Sequence, residues 1–302
     1  MIRYSPRSIG LNLVKNALAP VVVTLRPGRG ALGMDGAHGP VANTLEWLAH
    51  PIEELDVSFA GAQVLELGPG RTPQVCGAAV LAGAAAATGI DVVGYLDGES
   101  DRAERLTPLL DVLSSGRADT WCRATGTEIG EARRRAASFG ERWPVSFSTF
   151  DGQVLPIPDT SADLVISKSA LEHVPWRQVE PQLADLYRVL RPGGVMVHII
   201  DLRDHFHMKG DHDVTGDWLE GLRYPQKLYD AMFSNRSTNI NRLRASEWLD
   251  VFADAGFETE YEERKVFPLP DDFDPSRLQA RWQWLDRSEL EVGYLTVGLR
   301  KP

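Results

Sequence analysis

The chain has 302 residues, 43% of them hydrophobic and 25% charged, which is ordinary globular composition and enough chain for one large domain with additions. A net charge of −10 argues against nucleic acid as a partner, because phosphate contacts need clustered Lys and Arg, and the one dense basic run, Arg133-Arg134-Arg135, reads as a solvated helix face. Two cysteines, Cys76 and Cys122, form neither a disulfide framework nor a metal spacing and fit a reducing cytoplasm, and no apolar run reaches the ~18–20 residues of a membrane span, so no membrane partner is expected.

Met1 to about Gly39 is Pro- and Gly-rich and weakly periodic. Leu11–Leu25 is apolar, but Lys15 and Asn16 interrupt it, Pro20 breaks it and no small-residue cleavage pattern follows, so no signal peptide is expected. Asn43–Leu48 starts a helix, and residues 1–57 read as an N-terminal extension. Val64-Leu65-Glu66-Leu67 is a short buried strand, Gly68-Pro69-Gly70 a tight turn, and Pro73–Ala87 an Ala-rich helix. Strand, glycine turn and helix together suit a nucleotide-like ligand: the glycines let the backbone approach it, and the helix N-terminus offers unpaired N–H groups. A dinucleotide reading fails, because the third glycine of G-x-G-x-x-G would fall on Pro73.

Asp91–Leu96 reads as the second strand, ending at Asp97. Residues 98–142 read as a helical insertion, with amphipathic helices over Leu106–Leu113 and Ile129–Phe139 and with Trp121 and Cys122 in the core; a substrate lid or an oligomer contact would use it. Val145–Phe150 is the third strand, followed by Asp151-Gly152, and Asp163–Ile166 the fourth, followed by the loop Ser167-Lys168-Ser169. Trp176–Val189 is a helix, Pro192-Gly193-Gly194 stops and turns the chain, and Val195–Ile200 is the fifth strand. A further helix runs to Ala255 with Gly256 as its stop, and Phe257–Phe267 and Val292–Arg300 form an antiparallel pair.

Five motifs then stand in register: the turn around Gly68 and Gly70, Phe150-Asp151-Gly152, Leu155–Asp159 with Ala162–Ser167, Leu171-Glu172-His173-Val174, and Leu186–Gly194. This series resembles class I S-adenosylmethionine-dependent methyltransferases of the small-molecule, type 11-like kind, from roughly Val64 to Lys301. The resemblance implies an α/β fold, a seven-stranded doubly wound sheet over residues 58–302. It implies S-adenosyl-L-methionine as cofactor, held by Glu66, Gly68, Gly70, Asp97, Asp151, Gly152 and Ser167. Asp97 would accept both ribose hydroxyls. The family usually places this acid two residues after a glycine, and Gly94 is three before Asp97; Asp91 is the second choice and Glu99 the third. Asp151 and the Gly152 N–H would hold the adenine, the loop at Ser167 would lie over the sulfonium, and residues 1–57 would cover the cofactor or substrate mouth, or pack as a plain tail.

On the acceptor side, five of the seven histidines lie between 173 and 212, interleaved with aspartates. Asp201, Asp204 and His205 follow strand five at the carboxyl edge, where ligands of open α/β sheets bind. A histidine held by a carboxylate makes a general base near neutral pH, so His205, oriented by Asp201 or Asp204, is the expected base, with His173 as its competitor and His207 in reserve. No HxxxH or HExxH spacing is present and no metal is assigned, although His205-x-His207 with the aspartates is the sharper alternative. Asp201–Phe206 with Asn241–Ser246 resembles a methyltransferase subgroup of glycan and natural-product gene clusters. Arg242 and Arg244 would then suit an acidic acceptor group, or one of them caps the domain; Trp282 and Trp284 would line the acceptor pocket. The expected activity is methyl transfer to a hydroxyl, less so an amine, of a small polar metabolite such as a sugar or glycan precursor, in the cytoplasm, with homo-oligomerisation left open. The rival from another class is a non-catalytic partner subunit that binds the cofactor.

Overall fold

The structure is a computed structural model and describes residues 6–25, 41–70, 73–94, 109–113, 115–140, 142–205, 218–235 and 239–302. Its strands are β1 (Gln63–Leu67), β2 (Ala86–Asp91), β3 (Val145–Thr149), β4 (Ala162–Lys168), β5 (Leu190–Asp201), β6 (Glu258–Val266) and β7 (Val292–Arg300). They form one seven-stranded sheet in the order β3-β2-β1-β4-β5-β7-β6. The first five run parallel, and β7 enters antiparallel to both β5 and β6. This is the doubly wound sheet with a reversed final hairpin that the motif series implied.

Helices cover both faces, and the alternation of each strand sorts its side chains between them. Val64, Ala87, Leu164, Ile166, Val195, Val197 and Ile199 meet α2 (Val41–Glu54), α3 (Gln74–Ala82), α4 (Asp119–Ala124) and α5 (Ile129–Phe139). Leu65, Leu67, Val165, Met196 and Ile200 meet α6 (Val179–Val189) and α8 (Ala245–Asp254). Two smaller clusters lie at the carboxyl edge. One gathers Trp218, Leu222, Leu269 and Trp282; the other gathers Tyr229, Met232 and Phe233 of α7 (Gln226–Phe233) with Ile240. α9 (Arg287–Leu290) leads into β7.

Four expectations change. The first 39 residues are not all loop: α1 spans Pro6–Leu25 and runs through Pro20. α2 contributes Leu45, Leu48, Ala49 and Ile52 to the main core, so residues 41–57 belong to the domain and not to a separate cap. The insertion over 98–142 is, in its described part, the β2–β3 crossover layer of the domain; Trp121 is buried in the core as expected, together with Ala132 and Ala136, and Cys122 packs half-buried against it. The Ala-rich helix ends at Ala82. Gly83 (φ 115°) turns the chain left-handed, and Ala84 N–H closes back on the Ala79 carbonyl at 3.0 Å, so Ala86 and Ala87 open β2.

Candidate functional site

Three strand ends build one half of the site. Glu66 shares the face of Val64 and points at α3, where its Oε2 accepts the Cys76 N–H at 3.0 Å. Burial pushes its carboxyl up to about 7. Glu66 thus braces the first turn of α3. After β1 the backbone turns through Gly68 (φ 67°) and Gly70 (φ 60°). A Cβ on Gly68 would stand 2.7 Å from that of Ala170, so glycine is required there twice over.

β2 ends six residues earlier than expected, and Asp91 occupies its last position. Asp91 Oδ2 accepts the Gly70 N–H at 3.1 Å and Oδ1 the Val93 N–H at 2.9 Å, which ties the glycine turn to the neighbouring strand end. Burial raises its carboxyl above the usual range, although the side chain keeps an exposed edge. Gly89-Ile90-Asp91 also has the glycine-x-acid spacing that Asp97 lacked. Asp97 and Glu99 lie outside the described residues. Asp151 follows β3, exposed, with Oδ1 on the Gln153 N–H at 2.9 Å. A Cβ on Gly152 (φ 81°) would come to 3.6 Å from Val92, so the two turns adjoin. Val92, singled out by no motif, is 58% exposed between the two acids. Ser167 is a correction: it is the penultimate residue of β4, fully buried, with Oγ 2.7 Å from His198 Nδ1. Burial takes His198 down to about 3, so this pair is neutral and faces the core.

The other half lies where β5 ends. Asp201 receives Arg203 through Nε at 2.8 Å and Nη2 at 2.7 Å, a bidentate pair, and the Arg203 guanidinium sits 4.2 Å over the Tyr294 ring. Burial disfavours the Asp201 anion, but these hydrogen bonds outweigh it and hold its carboxyl well below the usual range. His205 Nε2 lies 3.5 Å from Asp201 Oδ2. Burial opposes the His205 cation, yet the Asp201 carboxylate prevails and raises its pKa. Neither His205 ring nitrogen completes a hydrogen bond among the described residues. Of the two expected orienting groups, Asp201 is adjacent; Asp204 is buried beside Gly221, where a Cβ would stand 3.3 Å from Oδ2. His173 packs edge-on to His205 with ring centroids 5.1 Å apart. Its Nδ1 meets the Asn239 carbonyl at 2.7 Å; a carbonyl only accepts, so the neutral ring carries its proton there and its lone pair on Nε2. Glu172, missed as a site residue, is buried in the same group, and burial with the Asp201 charge pushes it up to about 8. His207, Asp211, His212 and Asp213 lie outside the described residues. Among the described residues no group of three His, Cys, Asp or Glu could hold a metal ion.

Arg242 and Arg244 do not face an acceptor. Arg244 donates to the carbonyls of Leu202 at 2.7 Å and Leu290 at 3.2 Å and also bonds Val292. Arg242 donates to those of Gly221 and Tyr224, both at 2.9 Å, and stacks on Tyr229. Arg244 ties its segment to the start of β7, and Arg242 ties it to residues 221–226. Trp282 is buried in the cluster with Trp218, Leu222 and Leu269, and Trp284 is exposed on the surface.

Residues 111–198 match a family model described as a methyltransferase domain. Over that stretch the chain is similar to methyltransferase domains, and its seven-stranded sheet is the one that the resemblance to class I S-adenosylmethionine-dependent methyltransferases implied. An uncharacterized methyltransferase of Mycobacteroides abscessus is 34% identical over 91 residues, which cover 28% of this chain and 34% of that protein. The chain therefore spans about a third of the length of this curated relative. Among solved structures, an S-adenosylmethionine-dependent methyltransferase from Mesorhizobium loti is 18% identical with a TM-score of 0.49, covering 87% of this chain and 100% of that one. A putative one from Listeria monocytogenes is 16% identical with a TM-score of 0.48, covering 86% and 99%. No helix among the described residues is long and apolar enough to cross a membrane.

Proposed function

We propose that the protein transfers a methyl group from S-adenosyl-L-methionine to a hydroxyl of a small polar metabolite, a sugar or glycan precursor being the class we favour. The observation that carries the cofactor assignment is the Gly70–Asp91 bond at the carboxyl edge, with Val92 exposed beside it. The Asp91 carboxylate is fixed by the backbone N–H groups of Gly70 and Val93, and its exposed edge can accept a ribose hydroxyl. Val92 offers an apolar surface to the adenine ring, and Asp151 with the Gly152 N–H offers the polar edge. The glycine turn and the first turn of α3 offer close backbone approach. We assign Asp91, in place of Asp97, as the ribose ligand.

The bound sulfonium supplies an electrophilic methyl group, so the chain's own residues have to position the acceptor and remove its proton. His205 is the proposed base: the Asp201 carboxylate, 3.5 Å from Nε2, favours a proton on that side, and Nδ1 takes the acceptor proton. Arg203 clamps Asp201 in place. His173 is oriented by the Asn239 carbonyl beside it and is the second base candidate. Isothermal calorimetry tests the reading. The wild type should bind the cofactor, and Asp91→Ala should lose at least about 1 kcal/mol, as should Asp151→Ala, from lost hydrogen bonds to the ligand. A folded wild type with no detectable binding overturns it; binding without turnover on any hydroxylated acceptor favours the partner-subunit reading.

A further inference from the structure

Helix α1 has two apolar faces, and only one is used by the fold. Its inner side docks on α7: Asn16 Nδ2 donates to the Ala231 carbonyl at 3.0 Å, Asn16 Oδ1 accepts the Asn235 N–H at 2.8 Å, and Ile9 and Leu13 pack on the Tyr229–Phe233 cluster. Opposite them stand Leu11, Val14 and Leu18, at helical spacing i, i+3, i+7, exposed by 54%, 56% and 51%. No other element among the described residues exposes three large aliphatic side chains in a row. Lys15 flanks the stripe and is exposed. The charge of this segment is opposite to that of the protein. Arg3, Arg7, Lys15, Arg26 and Arg29 precede the first acid, Asp35, in a chain of net charge −10.

We propose that α1 docks the protein on the surface of an anionic lipid bilayer. The helix lies in the plane of the interface, with Leu11, Val14 and Leu18 at the acyl boundary and Lys15 among the headgroup phosphates. An aliphatic stripe beside cations matches both layers of such a surface. A second copy matches worse, because stripe-to-stripe packing would bring two acid-free cationic segments together. Nucleic acid offers phosphates but no apolar phase for three aliphatic side chains. The acidic remainder of the chain is repelled by anionic lipid, which leaves α1 as the point of approach. The expectation of no membrane partner rested on the lack of a spanning segment, and an in-plane helix needs none.

Flotation of the full chain with vesicles tests this. The wild type should float with phosphatidylcholine–phosphatidylglycerol vesicles and not with phosphatidylcholine alone. Binding should fall steeply between ~0.1 M and ~1 M salt, as the Debye length shrinks from about 10 to about 3 Å. A triple variant, Leu11→Ser, Val14→Ser and Leu18→Ser, changes exposed side chains only; it should keep the wild-type circular dichroism and melt while losing at least ~10-fold in partitioning. Lys15→Glu, with the stripe intact, should lose at least ~5-fold. Wild-type protein that stays unbound on anionic vesicles overturns the proposal, as do variants that float as well as the wild type. It is equally overturned if light scattering finds a wild-type dimer that the triple variant converts to monomer with no vesicle binding by either.

Discussion

His205 and Asp201 show how burial sets chemistry at the level of single residues. Asp201 stays ionised in the interior because Arg203 grips both its oxygens, and that charge in turn favours a proton on His205. Two outcomes follow for turnover. The rate should rise with pH through a midpoint above 6.5, because the imidazole must lose its proton to act as a base and its pKa is raised in the folded protein. His205→Ala should lower kcat by at least ~10²-fold while cofactor affinity by calorimetry stays nearly unchanged, and His173→Ala should cost less. If His205→Ala keeps near-full kcat from pH 6 to 9, the base is His173. EDTA should leave the rate unchanged, since the Asp- and His-rich sequence after β5 lacks a strong ligand spacing; activity lost to EDTA and restored by Mn²⁺ or Zn²⁺ would move Asp201, Asp204 and His205 into a ligand role. Arg244→Ala should act on stability alone. It strands several buried carbonyls, so a loss of roughly 3 kcal/mol in chemical denaturation with unaltered cofactor affinity is expected.

Among elements, the β1 turn governs the cofactor half. Gly68→Ala forces a left-handed alanine, costing ~1–2 kcal/mol, and drives its Cβ into Ala170 at the head of the loop after β4. Both strand ends should shift, lowering the melting temperature and weakening cofactor binding at least ~10-fold, with Gly68→Ser no better. β2 illustrates a limit of local reading. Beyond Gly83, Ala84 to Ala87 resume the alanine-rich composition of α3, and helix propensity favours alanine everywhere. Gly83 was the available stop signal, and Gly89-Ile90-Asp91 the available strand-end pattern; the parallel register of Ala87 with Val64 and with Val145 is what fixes the segment as strand. β6 sits at the sheet edge with nearly every side chain exposed, and its Glu and Arg residues guard that edge against further pairing.

For the whole molecule, buried ionisable groups tie stability to pH. Glu66 and Glu172 are raised by burial from 4.5 to about 7 and about 8, and His205 is raised from 6.5. Above pH 6.5 the folded state therefore holds more protons than the unfolded chain, and stability should fall toward pH 8, by about 1.4 kcal/mol per pH unit for each extra proton. Below 6.5 His198, lowered to about 3 by burial, works in the opposite sense, since the unfolded chain then binds its proton more readily. Asp201 adds stability that is present above 3.8 and lost as the pH falls further. Thermal melts from pH 5 to 9 should show the decline above neutrality, and Glu172→Gln should flatten it and melt higher than the wild type at pH 9. A flat profile in the wild type would mean that Glu172 is ionised without penalty.

Most strands were legible in the sequence because parallel strands buried on both faces leave short aliphatic runs, and the turns after them need glycine or an acid at fixed places, whereas the seven-stranded doubly wound sheet was implied by the family resemblance and the strand order came from the structure. Gly68, Gly70, Asp151 and β7 over Val292–Arg300 were readable on those grounds. The pairing of side chains across the fold was not. Nothing local distinguishes an arginine that faces a ligand from Arg244, which spends its donors on carbonyls more than 40 positions away, or a strand-end serine from Ser167, bound to His198 on the next strand. Nor does spacing reveal that Asp91 meets Gly70, or that Glu172 enters the Asp201–His205 group. Periodicity and turn chemistry act over a few residues and are written in the chain. Hydrogen-bond partners and desolvation depend on what the packing of distant segments brings together, and only the tertiary structure decides them.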